Sequence, residues 1–178
     1  NGGGISSNGA APRTILNPIS FTGNASLGDA TNTGKLTFSA DAALGGATRT
    51  LTVNSDAEFS GIISSTGAFG ITKAGTGKLT LQGSNTYTGT TAVSGGKLVV
   101  GADAPSAANG ALGNATSDIN LGVAGGNSDA DLLIGGAFTV GRNIRLLTNN
   151  TTDTGTRVLT LGGNTADNSE FSGNIILG

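Results

Sequence analysis

Apolar residues along this chain come in short packets, mostly in alternation with polar ones. The clearest are KLTF (35–38), TLTV (50–53), KLTL (78–81), KLVV (97–100), AFTV (137–140) and VLTL (158–161). A period of two with β-branched residues is the signature of a strand with one buried face. Gly, Asn, Asp and Ser bound each packet, and these residues tolerate tight turns. No window of twelve residues carries a helical stripe; the nearest, 102–112, is alanine-rich but interrupted by Pro105 and Gly110. The pattern predicts an all-β chain of short strands.

The packets also repeat. GKL opens three of them, at Gly34, Gly77 and Gly96, and EFSG followed by isoleucines occurs at 58–63 and at 170–176. The segments 27–63 and 121–176 read as related halves, with an offset growing from 94 residues (Leu27 to Leu121) to 112 (Phe59 to Phe171). Insertions confined to the loops of an ordered strand series are what stacked repeats permit. A sandwich would place hairpin dipeptides between neighbouring strands. Asn-Gly instead occurs at 1–2, 8–9 and 109–110, away from the packets. The better fit is a parallel β-helix, with aliphatic ladders inside, Thr, Ser and Asn outside, and Gly or Asn at corners that need positive φ. Coils of roughly 20 to 25 residues make residues 1–178 a single unit of 7–8 coils. At ~4.8 Å per coil that is a rod roughly 35 Å long.

Composition sharpens this picture by exclusion. The 178 residues include 32 Gly and no Cys, His, Met or Trp. Disulfides, Cys or His metal sites, thiol nucleophiles and His-dependent triads are therefore impossible. A net charge of −2 gives no footprint for nucleic acid. No apolar run approaches the ~20 residues of a membrane helix, so no direct membrane insertion is expected. Gly and Pro together are frequent, but a mean hydropathy of +0.06 and the low net charge argue against disorder.

One stretch carries more information than the rest. Residues 69–100 read FGITKAGTGKLTLQGSNTYTGTTAVSGGKLVV. This stretch resembles the passenger-associated transport repeat, also called the autotransporter-associated β-strand repeat. The pattern is met at Gly70, Thr72, Lys73, Gly75, Gly77, Leu79, Leu81, Gly83, Asn85, Tyr87, Gly89, Thr91, Val93, Gly96 and Leu98. The GALG at 110–113 and the two EFSG elements look like the segments that flank such repeats. The resemblance implies a right-handed parallel β-helix from the passenger of a bacterial type V autotransporter. It also implies a signal peptide and an outer-membrane barrel, neither visible in this sequence, so the chain is expected to be a fragment of a longer passenger. Localisation is then the bacterial surface or the medium.

Individual residues carry further expectations. Leu79 and Leu81 should face inward and Lys78 and Thr80 outward, with Gly83, Gly89 and Gly95–Gly96 at corners. Asn85 is placed to satisfy backbone groups of a neighbouring coil. Tyr87 is expected to cover an edge of the core with its hydroxyl in water. Glu58 and Glu170, the only glutamates, read as repeated outward contacts to Arg49 and Arg157. Asp129 and Asp131 share one side of a strand and are weak metal candidates. The surrounding GGNSDADL loosely resembles a calcium nonapeptide, but with the wrong spacing and in one copy, so a solvated insertion loop is the plainer reading. GTGKLT at 75–80 lacks the first glycine of a phosphate loop and the Ser or Thr after its lysine, and the recurrence of GKL explains it. Arg142 and Arg145 read as a solvated pair. Sequons at Asn24, Asn114, Asn149 and Asn150 matter only in a eukaryotic secretory route.

The expected function is a non-catalytic stalk that supports secretion and surface display and contributes to adhesion, with no cofactor. Expected partners are neighbouring coils of the longer passenger, a host surface or glycan, and a second copy end to end. The alternatives are a fragment of a polysaccharide-acting β-helix enzyme, in which Asp is grouped with Lys or Arg on one outer face, and a self-associating fibre subunit.

Overall fold

Alternation selects which side chains are buried, and the short polar intervals between packets bring each strand back over its predecessor. The computed structural model describes residues 2–147, 157–163 and 166–178. The first coil contains β1 (Gly3–Ile5), β2 (Arg13–Ile15) and β3 (Ile19–Ser20). The second contains β4 (Ala25–Leu27), β5 (Leu36–Phe38) and β6 (Ala42–Ala43), and the third β7 (Arg49–Val53), β8 (Ala57–Phe59) and β9 (Ile63–Ser64). The fourth has β10 (Ile71–Ala74) and β11 (Lys78–Leu81), and the fifth β12 (Thr91–Val93) and β13 (Gly96–Val100). The sixth has β14 (Ile119–Leu121), β15 (Ala130–Ile134) and β16 (Thr139–Val140). The seventh has β17 (Ile144–Leu146), β18 (Leu159–Gly163) and β19 (Glu170–Phe171), and β20 (Ile175–Leu177) opens an eighth.

Two long sheets result. Face one runs β1-β4-β7-β10-β12-β14-β17-β20, and face two runs β2-β5-β8-β11-β13-β15-β18. A third face holds β3-β6-β9 and, further along, β16-β19. Every pairing between these strands is parallel. The molecule is a parallel β-helix, and eight rungs at ~4.8 Å span about 34 Å. All six alternating packets coincide with strands. The alanine-rich stretch 102–112 is irregular, with Ala107 at φ 59°, and belongs to a longer fifth-coil crossing that takes the place of a third-face strand.

In-register columns build the core. On face two, Leu36, Ala57, Leu79, Leu98 and Leu132 stack in one buried column, and Phe38, Phe59, Leu81, Val100 and Ile134 in another. Removing such a side chain from water contributes about 1.5–3 kcal/mol each. On face one, the column Leu51–Lys73–Val93–Leu121 contains a lysine, and the column Ile71–Thr91 contains a threonine. These polar intrusions mark the fourth and fifth coils.

A second device holds coil to coil outside the ladders. An Asn or Asp just ahead of a strand or bridge accepts the N–H of the residue one coil later. Asn24 takes Thr50, Asp41 takes Ile62, Asp103 takes Thr139, Asp129 takes Val158 and Asn143 takes Asn174, at 2.7–3.0 Å. Each side chain thereby extends a parallel ladder by one bond. The two EFSG elements share a strand–corner–strand shape but lie on different faces: the first joins face two to the third face, the second joins the third face to face one. At both corners a Cβ on the glycine would strike backbone of the preceding coil, Ala40 O for Gly61 and Arg142 O for Gly173, each at 2.2 Å.

Candidate functional site

The repeat segment occupies the fourth and fifth coils, and its polar residues work inward. Lys73 lies on β10 at an inward position and is fully buried. Its stem fills the face-one column, and its ammonium reaches the corner leading to face two. There it donates to the carbonyls of Ala74 (3.1 Å), Gly75 (2.8 Å) and Gly95 (2.8 Å). The last bond ties the fourth coil to the fifth. Gly75 and Gly96 turn this corner at φ +77° and +63°, where a Cβ costs energy. Burial pushes the Lys73 ammonium down to about 8.

Asn85 sits on the third face, where the strand series stops. Its amide oxygen accepts the Ile63 N–H at 2.7 Å, and its amide nitrogen donates to Ala111 O at 2.7 Å. The side chain thus stands where a strand backbone would, and links the third coil to the fifth-coil crossing. Gly83 precedes it because a Cβ there would meet Gly61 O at 2.1 Å. Gly70 and Gly89 approach neighbouring backbone equally closely, while Leu79, Leu81 and Leu98 fill face-two columns.

Tyr87 corrects an expectation. Its ring is fully buried, and its hydroxyl pairs with Thr91 Oγ1 at 2.9 Å instead of meeting water. Burial pushes the phenol up to about 12. Arg142 overturns a second one, because it is 1% exposed rather than solvated. Its guanidinium donates to Leu112 O (2.6 Å) and twice to Ser117 O (3.0 and 2.7 Å), and reaches Thr91 Oγ1 (3.4 Å). Five donors on a rigid fork let arginine satisfy several buried carbonyls at once. Arg142 thereby fastens the fifth-coil crossing to the core from above, as Asn85 does from below. Arg145 does face outward, bonded to Asp118 at 2.9 Å.

Outside, the charges pair along the rod. Glu58 binds Lys35 at 2.6 Å rather than Arg49, whose Nε donates to Leu44 O. Arg157 donates to the carbonyls of Val123, Gly126 and Leu147, not to Glu170. Lys78 pairs with Asp56 (3.0 Å) and Lys97 with Asp131 (3.6 Å). Asp129 and Asp131 are thus both engaged, and among the described residues no group of three metal-ligating side chains converges. The phosphate-loop-like residues form a corner and strand. Asn149 and Asn150 lie outside the described residues.

Lysine and arginine in an alternating β chain are read as outward, so Lys73 and Arg142 could not be placed from pattern alone. For Lys73 a signal was present: it falls two residues before Gly75, on the same side of the strand as Ile71.

Residues 71–100 match the family described as passenger-associated-transport-repeat. A 59-residue segment is 46% identical to "Adhesin BmaC autotransporter" of Brucella suis biovar 1 (strain 1330), covering 33% of this chain and 2% of that protein. The chain therefore spans a very small part of the curated relative it matches. No solved structure matches the chain. The chain carries an autotransporter passenger repeat, built into a parallel β-helix. Both matches indicate a surface-displayed or secreted protein.

Proposed function

We propose that this chain is a non-catalytic structural stretch of an autotransporter passenger, a stalk that supports secretion and surface display and contributes to adhesion. The observation that supports this best is where its polar groups go. Lys73, Asn85, Thr91 and Arg142 are buried and bonded between coils. Asp41, Asp103 and Asp129 bracket ladders, and Asp56, Glu58, Asp118 and Asp131 are ion-paired. Carboxylates committed in this way are poorly suited to act as a general acid and base, which speaks against a polysaccharide-cleaving role. Adhesion enters through the relative, which is named as an adhesin. Neighbouring coils of the passenger are the first partners of such a stalk.

The test is to delete residues 71–100 from the full passenger in its native host and measure surface-exposed, protease-resistant protein. Display should fall several-fold while synthesis is unchanged. Unchanged display would overturn the stalk reading, and release of reducing ends from polysaccharides by the intact chain would favour the enzymatic one.

A further inference from the structure

The corner between faces one and two differs along the rod. In the fourth and fifth coils it is tight, turning at Gly75 and at Gly95–Gly96. In the sixth coil it spans the whole interval from Leu121 to Ala130. This longer corner is firmly held. Gly126 N–H bonds Val123 O at 3.0 Å, Gly96 N–H bonds Asp129 O at 2.9 Å, and Arg157 bonds Gly126 O at 2.8 Å. It stands as a wall beside the tight corners, and the step between them is a groove of about 880 Å³. That volume lies within the range of small-ligand sites. In solenoids, loops inserted on one face are commonly the binding face.

The lining is specific in kind. Gly75 and Gly95 form a floor without side chains, and a Cβ on Gly95 would point toward Ser128 at 3.6 Å. Hydroxyls come from Ser94 and Ser128, and methyl groups from Val123 and Val158, both exposed. Lys97 and Asp131 project together from adjacent strands at 3.6 Å, and the lysine is 56% exposed, so its ammonium keeps donors free. Lys97 and Arg157 balance Asp129 and Asp131, so the groove selects neither anions nor cations. It holds no aromatic ring on which a base could stack. Paired donors and acceptors beside small apolar patches match vicinal hydroxyls and the C–H faces of a pyranose.

We propose that this groove binds a short, uncharged oligosaccharide, with Lys97 and Asp131 bridging a vicinal diol and the Gly95 floor admitting the ring. This deepens the adhesion part of the reading above and does not depend on the secretion part. The full chain should be screened on an array of neutral and acidic glycans, and the strongest neutral hit titrated by calorimetry. Gly95→Leu should fill the groove, and Asp131→Ala should remove the acceptor. Each should weaken binding at least about tenfold, the equivalent of one lost hydrogen-bonded contact. Thermal midpoints near that of the parent chain would establish that Gly95→Leu still folds. A midpoint drop would shift the decision to Asp131→Ala, with Lys97→Ala beside it. Binding that survives these substitutions, binding only to acidic glycans, or no binding at millimolar concentration would overturn the proposal. Surface display of Gly95→Leu, measured separately, reports on the stalk alone.

Discussion

The first three coils and the fourth to sixth coils enclose cores of different kinds. The earlier coils are filled by rings: Phe38 stacks on Phe59 with centroids 4.4 Å apart, and Phe21 tilts against Phe59 at 6.3 Å. The later coils contain Lys73, Asn85, Tyr87, Thr91 and Arg142, all buried and all hydrogen-bonded. A ring stack makes no hydrogen bond and tolerates an apolar neighbour of similar volume. A buried amide or guanidinium accepts one arrangement only, because every unpaired polar group costs about 1–3 kcal/mol. The difference teaches that the first region supplies cohesion and the second supplies register. Register needs specifying where the third-face ladder breaks and the long fifth-coil crossing must dock.

The largest effect should come from the apolar region. Phe59→Ala removes the ring shared by both aromatic contacts and should cost about 3–5 kcal/mol, read by urea denaturation. Spectra of the remaining fold should stay native-like. A loss below about 1 kcal/mol would mean the ring stack is not the source of cohesion.

Asn85→Ala strands the Ile63 N–H and the Ala111 carbonyl and should cost about 2–4 kcal/mol. It should also raise amide exchange across the fifth-coil crossing, which Phe59→Ala should leave protected. Equal exchange patterns in the two variants would erase the contrast between cohesion and register.

Lys73 gives a pH-dependent test. Its ammonium is held at about 8 by burial against an ordinary 10.5. Between those values the unfolded chain binds a proton that the folded chain lacks, so stability rises with pH. Relative to Lys73→Met, the parent chain should gain up to about 1.4 kcal/mol per pH unit across this window and nothing beyond it. A flat difference would show that the three carbonyls offset the desolvation.

Tyr87 is expected to show the smallest effect on substitution, about 1 kcal/mol for Tyr87→Phe. As the single Tyr in a chain without Trp, it is also its own optical reporter. With the folded phenol pushed up to about 12 and the unfolded one near 10, stability falls as pH rises through that interval. Phenolate absorbance should therefore stay absent above pH 10 until the chain unfolds. A titration centred on 10 in folded protein would place the hydroxyl in water.

Much of this was legible in the sequence. Alternation at 35–38, 50–53, 78–81 and 97–100 located the strands of the long faces, because period two has one structural meaning. The third face was harder to see: β3, β6 and β9 are two residues each, too short to show a period. The EFSG repeat marked a corner faithfully and its face unreliably, since the same strand–corner–strand step serves at more than one edge of the coil. Arg142 was hidden because type alone assigns a charged residue to solvent, whereas Lys73 carried a positional signal in sharing the strand side of Ile71. The backbone carbonyls that both side chains meet come together only in the folded coils. The groove was invisible because its residues, from Gly75 to Val158, are gathered from four coils.

The Asn and Asp brackets have a kinetic consequence. Asn24, Asp41, Asp129 and Asn143 each bond a residue 21 to 31 positions later. Each of these coils thus closes a loop of similar length, at nearly the same entropic cost, against an edge already in place. The chain can grow as a crystal does, layer upon layer, with no layer waiting for a distant one. The bracket from Asp103 to Thr139 is longer, at 36 positions, and Arg142 reaches back furthest, 51 residues to Thr91. Its layer must be laid before the fifth-coil crossing is locked, and that makes it the step at which assembly should pause.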